Sequence, residues 1–133
     1  MDLSKEASLV FQKAVAFAAE NQYEYVTPEI VLLMILDDDT FAEAFRECGG
    51  DLSILDSNLR KYIKEYVDKA ENGQPELSIG TNFVISFAGQ SAYSSGSDQI
   101  HVRHLVHAIW NLENSYAVYY MEQQDISEAD VLQ

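Results

Sequence analysis

Thr27-Pro28-Glu29-Ile30-Val31-Leu32-Leu33-Met34-Ile35-Leu36 decides the fold. Thr27 offers a side-chain oxygen to the free amides of a helix start. Pro28 at the first helical position loses no hydrogen bond and has its φ preset. Glu29 complements the positive end of the helix dipole. The residues from Ile30 to Leu36 are apolar almost all round, so the helix that carries them is central and buried rather than striped.

A central helix needs a jacket, and the flanks supply one. Upstream, Leu9, Val10, Ala14, Phe17 and Ala18 recur at helical spacing, which predicts a helix over about residues 5–20 with Ser4 as its cap. Residues 21–26 are a polar break opened by turn-prone Asn21. Downstream, Asp37-Asp38-Asp39-Thr40 stops the central helix and caps a short one over residues 41–48. Gly49-Gly50 ends that helix. Asp51 then caps a fourth, from Leu52 to about residue 67, with Leu55, Leu59, Tyr62, Ile63 and Tyr66 on one face.

The pattern returns at an offset of 74 residues without a gap. Leu9-Val10 falls on Phe83-Val84, Ala14 on Ala88 and Ala18 on Ala92. Val31-Leu32 falls on Leu105-Val106, Ile35-Leu36 on Ile109-Trp110, and Asp51-Leu52-Ser53 on Asp125-Ile126-Ser127. One folded unit is used twice. The expected division is a first repeat over 1–67, a polar linker over 68–76 and a second repeat over 77–133. The second repeat's helices run to about Tyr93, then over about 102–112 and 115–121, and a last one opens at Asp125 or Ser127. That last helix is shorter than its counterpart, which reads as a truncated copy in a longer protein.

The chain has 133 residues, 47% of them hydrophobic, enough for a core of its own. Eight Lys and Arg face 22 Asp and Glu, a net charge of -14. That field repels phosphate backbones and anionic lipid, so nucleic acid and membrane are not expected partners. A partner with a basic face is favoured instead. No apolar run is long enough to span a bilayer, and the N-terminus lacks a signal-peptide layout, which predicts a cytoplasmic protein. The lone Cys48 fits a reducing compartment and has no local base to activate it.

Catalytic motifs are missing. No glycine-rich phosphate loop ends in lysine, and no supported Ser/His/Asp order exists. The Asp37-Asp38-Asp39 cluster lacks the alternating ligands and glycine of a calcium loop. His101, His104 and His107 stand three apart on one expected helix, close enough for a pair to ligate zinc or nickel. The repeat, however, puts them at the positions of Thr27, Ile30 and Leu33, where a side chain caps or packs. No cofactor and no metal site is predicted.

Tyr23-Glu24-Tyr25-Val26-Thr27-Pro28-Glu29-Ile30-Val31-Leu32-Leu33 resembles the "H-E-[FY]-[MV]-T-x-E-H-L-L-L" stretch of the Clp N-terminal domain family. Arg46-Glu47-Cys48-Gly49-Gly50-Asp51-Leu52 resembles the "E-A-C-x-x-D-L" of its ClpA members, and Pro75-Glu76-Leu77-Ser78 their "P-T-L-S". The resemblance implies an all-α fold of two tandem four-helix repeats in a pseudo-two-fold bundle. It implies a non-catalytic recruitment domain at the front of a ClpA-like AAA+ unfoldase that feeds the ClpP protease. Its partners would be a ClpS-like adaptor and protein substrates. In that family the two acids of the first stretch take part in adaptor docking, here Glu24 and Glu29, together with the residue before the "L-S", here Glu76 where ClpA has Thr. The metal site of some ClpA domains does not carry over, because Tyr23 replaces its His and Lys64 its acid. A different reading is a free-standing chaperone cofactor that binds unfolded or hydrophobic segments. An N-domain of a ClpB- or ClpC-type relative and a metal enzyme built on the histidine row are further readings.

Overall fold

The computed structural model describes residues 1–70 and 74–132. The middle of the expected linker and Gln133 lie outside them. The central helix is α2, Pro28–Ile35. The Thr27 hydroxyl accepts from the Ile30 amide at 3.3 Å, and every residue from Glu29 to Ile35 is buried. Five helices pack on it: α1 (Lys5–Glu20), α4 (Leu52–Tyr66), α5 (Ile79–Ser94), α6 (Val102–Trp110) and α7 (Tyr116–Glu122). The remaining two, α3 (Asp39–Glu47) and α8 (Glu128–Val131), pack on each other. The jacket delivers Leu55, Leu59, Leu105 and Ile109 to the same core as Ile30, Leu32 and Ile35. Each such side chain contributes about 1.5–3 kcal/mol by leaving water.

The helix starts follow their sequence signals. Ser4, Asp38, Asp51, Ser78, Ser115 and Ser127 each accept from an amide of the first turn. Of the two residues that compete to open the last helix, Ser127 is the cap.

The fold is all-α and built of two four-helix halves, and a backbone contact shows how they are joined. Two short strands, β1 (Tyr25–Val26) and β2 (Glu76–Leu77), pair in parallel, and Leu3 bridges Ile100 in the same sense. At the 74-residue offset Leu3 falls on Leu77 and Val26 on Ile100. The two pairings are therefore one contact made in each direction. The Ser4 amide donates to the Ile100 carbonyl at 2.8 Å, and the Ser78 amide to the Val26 carbonyl at 3.1 Å. Each half thus pins the entry of its first helix onto the segment that precedes the second helix of the other half. The polar break read from sequence is this strand segment. Two-residue strands carry no alternation to read.

Helix ends repeat too. After α1 the chain turns through Gln22 at φ 59°, where Gln22 donates to Ala19 and Tyr23 to Ala18. After α5 it turns through Gly96 at φ 81°, with Gly96 donating to Tyr93 and Ser97 to Ala92. Both are the same left-handed helix stop. Gly adopts it freely, whereas Gln pays about 1–2 kcal/mol against the carbonyl. Gln22→Gly should therefore raise stability by about 0.5–1 kcal/mol, the relief less the added entropy of an unfolded glycine. A higher urea midpoint at unchanged slope is the expected result. A lower midpoint would show that the Gln22 side chain contributes more than its backbone costs.

Candidate functional site

The paired strands bring together two acids far apart in sequence. The Glu76 amide donates to the Glu24 carbonyl at 3.0 Å, and Tyr25 stands opposite Glu76. The Glu24 amide in turn donates to the Asp68 carbonyl at 2.8 Å. Glu24, Asp68 and Glu76 are exposed around Tyr25, which is 37% exposed itself. Glu24 first, then burial, Glu76 and Asp68 push the Tyr25 phenol above its ordinary pKa. The result is an aromatic ring in a rim of carboxylates, suited to a cationic side chain laid on the ring and paired with the acids.

Glu29 does not stand on that rim. It is buried, only 6% exposed, and burial raises its pKa. Against burial, the nearby amides of Tyr116 and Ala117 at the start of α7 and the Thr27 hydroxyl favour the charged form. A residue read as one end of a docking edge instead joins α2 to α7.

The tyrosines gather beside it. Tyr62 of α4 stacks on Tyr116 of α7 at 4.6 Å, and Tyr66, Tyr119 and Tyr120 complete the cluster. Burial first, then Glu29 and the neighbouring phenols, push the Tyr62 pKa up to about 12. Trp110 is half-buried against the core.

The histidines divide. His104 is buried, and its Nδ1 accepts from the His101 amide at 2.9 Å. Burial, then Arg103, His101 and His107, lower its pKa. His107 Nδ1 meets Glu128 Oε1 at 2.7 Å and ties α6 to α8. The roles are packing, a helix start and a tether. Among the described residues no three His, Cys, Asp or Glu side chains group as metal ligands. Cys48 is half-buried and its Sγ donates to the Asp130 carbonyl at 2.9 Å. Burial, then Asp130 and Glu47, raise the thiol pKa, which opposes the nucleophilic form. Of the three clustered aspartates, Asp39 opens α3, Asp38 caps it and Asp37 lies 3.6 Å from Lys13.

A second concave feature was not legible in sequence. A cleft of about 310 Å³ opens between the N-terminal end of α1, α3, α6 and α8. Phe41, Val102, Val106 and Val131 give it an apolar floor, and Glu6 and Arg103 stand on its rim. No helix among the described residues is long and apolar enough to cross a membrane.

Two interlocked helical repeats thus carry an exposed acidic rim and an apolar cleft. The chain belongs to the Clp N-terminal domain family: the model of the Clp repeat N-terminal domain matches residues 2–124. It is 26% identical over 123 residues to a ClpA homolog protein of Fuscovulum blasticum, covering 90% of this chain and 16% of that protein. The chain thus spans less than a fifth of that relative's length. Its fold is similar to the Hsp104 N-terminal domain of Candida albicans, with a TM-score of 0.86 at 10% identity over 99% of this chain and 87% of that one. It is also similar to the N-terminal domain of the ClpV1 ATPase of E. coli, with a TM-score of 0.78 at 20% identity, over 97% and 80%. A ClpV N-domain solved in complex with a VipB peptide matches with a TM-score of 0.76 at 14% identity, over 97% and 81%.

Proposed function

We propose that this chain is a non-catalytic recruitment domain of a cytoplasmic ClpA-like AAA+ unfoldase. Residues 1–67 and 77–133 are its two repeats, joined by 68–76. It captures a ClpS-like adaptor and protein substrates, and the rest of the parent chain couples it to ClpP. One observation carries the reading: Glu24 and Glu76, 52 residues apart in sequence, are joined backbone to backbone where β1 meets β2, and both are exposed around Tyr25. The acids Glu24 and Glu76 steer and hold a basic partner face. Opposite potentials raise the encounter rate and fix register more than they add raw affinity.

Glu24→Lys should weaken binding of a purified ClpS-like adaptor by about tenfold or more, chiefly through slower association, since a reversed charge repels where it attracted. Stability should change by less than about 0.5 kcal/mol, because the side chain is exposed. Surface plasmon resonance gives the rates and urea unfolding the stability. Unchanged affinity removes the docking role.

The apolar cleft favours a second reading, capture of unfolded or hydrophobic segments as a chaperone cofactor. An apolar floor of this size accepts one or two side chains of an extended or helical peptide. That reading needs a peptide whose binding survives Glu24→Lys.

A further inference from the structure

At the 74-residue offset α5 is the counterpart of α1. The outer face of α1 carries Lys5, Glu6, Lys13 and Glu20, with Leu9 exposed between the two lysines. The sixteen residues of α5 include no Asp, Glu, Lys, Arg or His. Lys5 becomes Ile79, Leu9 becomes Phe83 and Lys13 becomes Phe87. Spaced by four, the three share one helix face.

That face is open. Ile79 is 91% exposed and Phe83 42%. The Phe83 ring stacks on half-buried Phe87 at 5.6 Å, and Phe87 rests on His107 at 5.4 Å. The exposed positions farther along are Ser86, Gln90, Tyr93 and Ser94, all uncharged. Neither the core nor helix propensity accounts for Ile79, which leaves an isoleucine in water where lysine would be the better helix former. The first half of the protein serves as the control: the same helix in the same fold carries lysine at the first and third of these positions, and at the second an apolar Leu9 that is 48% exposed. Depletion of charge around exposed aromatic and aliphatic side chains is the composition of an interface centre.

The face also continues the acidic rim. Glu76 lies three residues before Ile79, and a Cβ at Gly80 would come within 3.1 Å of Pro28, so the first turn of α5 abuts the start of α2. We propose that the uncharged face of α5 and the Glu24–Glu76 rim form one docking surface, and that its occupant is a partner protein with an apolar centre flanked by Lys or Arg. This rests on the docking reading of the rim and extends it. The occupant follows from charge complementarity: carboxylates border the apolar stripe at the end where Ile79 stands. A second copy of this chain would bring another net charge of -14 and the same acids to that border.

A synthetic amphipathic helix of leucine and lysine, and its twin with glutamate at every lysine, are the probes. Titrated into isotopically labelled protein, the leucine–lysine peptide should shift amides in the first three turns of α5 and at Glu24, Tyr25 and Glu76. The glutamate twin should not bind. The double variant Ile79→Lys/Phe83→Gln, which introduces polarity at exposed positions, should weaken the peptide by about tenfold or more. Shifts confined to the cleft between α1, α3, α6 and α8 would overturn the proposal. So would equal binding by the double variant, or a sedimenting dimer that Ile79→Lys dissociates. Adaptor binding separates this inference from the reading beneath it. Loss with Glu24→Lys but not with the double variant rejects the α5 face alone. Loss with neither rejects the docking reading itself.

Discussion

Phe45→Ala is expected to remove about 3–5 kcal/mol of folding stability, the cost of deleting a fully enclosed phenyl ring. Phe45 is the largest of the fully buried side chains and stacks on Phe41 at 5.6 Å. Its surroundings cannot close over the gap easily. Gly50 lies so close to the ring that a Cβ there would collide with Phe45 and with Ile126 of the other half. The ring therefore plugs the junction between the turn after α3 and the turn before α8. Removing it loosens both halves at once. Against a domain stability of about 5–15 kcal/mol, the loss is a large fraction. Urea unfolding followed by circular dichroism should show a lowered midpoint with an unchanged slope. Phe45→Leu should cost much less, about 1–1.5 kcal/mol, because most of the volume is retained. A loss below about 1 kcal/mol for the alanine variant would mean that the two turns collapse onto each other, and that Phe45 does not hold them apart.

The helices were legible because their signals are local. Ser4, Thr27 and Asp51 announce their helix starts, and Ile30 to Ile35 is too apolar to be anything but central. The repeat was legible because core positions keep their character at the 74-residue offset. It fails where the two halves use a position differently. Phe45 falls on Tyr119, yet Phe45 is enclosed and Tyr119 is half-exposed in an aromatic cluster. The exchanged strand pairs were not legible, since a two-residue strand has no period and its partner lies in the other half.

The site was legible in part for the same reason. Glu24 can be chosen from sequence as an acid beside a helix start and Glu76 only through the family resemblance, and their adjacency depends on the register of β1 and β2. Glu29 reads as a first-turn acid on a helix surface, and only packing shows that α7 covers it. The α5 face had a sequence signal that can be stated afterwards: a helix without charge, aligned with a charged copy of itself. The cleft had none, because its floor is drawn from helices at both ends of the chain.

Glu29→Ala should cost about 1–3 kcal/mol, because it empties a buried polar position beside the amides of Tyr116 and Ala117, in a place that water reaches poorly. The loss is partial because the Ser115 hydroxyl still accepts from Ala117 at 3.1 Å, which leaves Tyr116 the more exposed to it. Two opposed effects act on the carboxylate itself. Burial disfavours its charge and the amides favour it, and burial prevails, since the pKa lies above its ordinary value. The folded protein therefore holds a proton on Glu29 at pH values where the unfolded chain has released it. The stability that this proton confers is fully present below about pH 4.5, the ordinary value, and is lost as pH rises through the folded pKa. Lowering the pH also relaxes repulsion among the other acids and weakens the cap at Asp51, whose pKa is lowered first by the Ser53 hydroxyl and the Ile54 amide. Glu29→Gln isolates the one group: those other effects are common to both proteins and cancel in the difference. Between pH 7 and 4.5 the wild type should gain stability relative to Glu29→Gln. A difference that stays flat over that range would mean that the Glu29 carboxylate reaches water, and that α7 is anchored by its aromatic contacts to α4 instead.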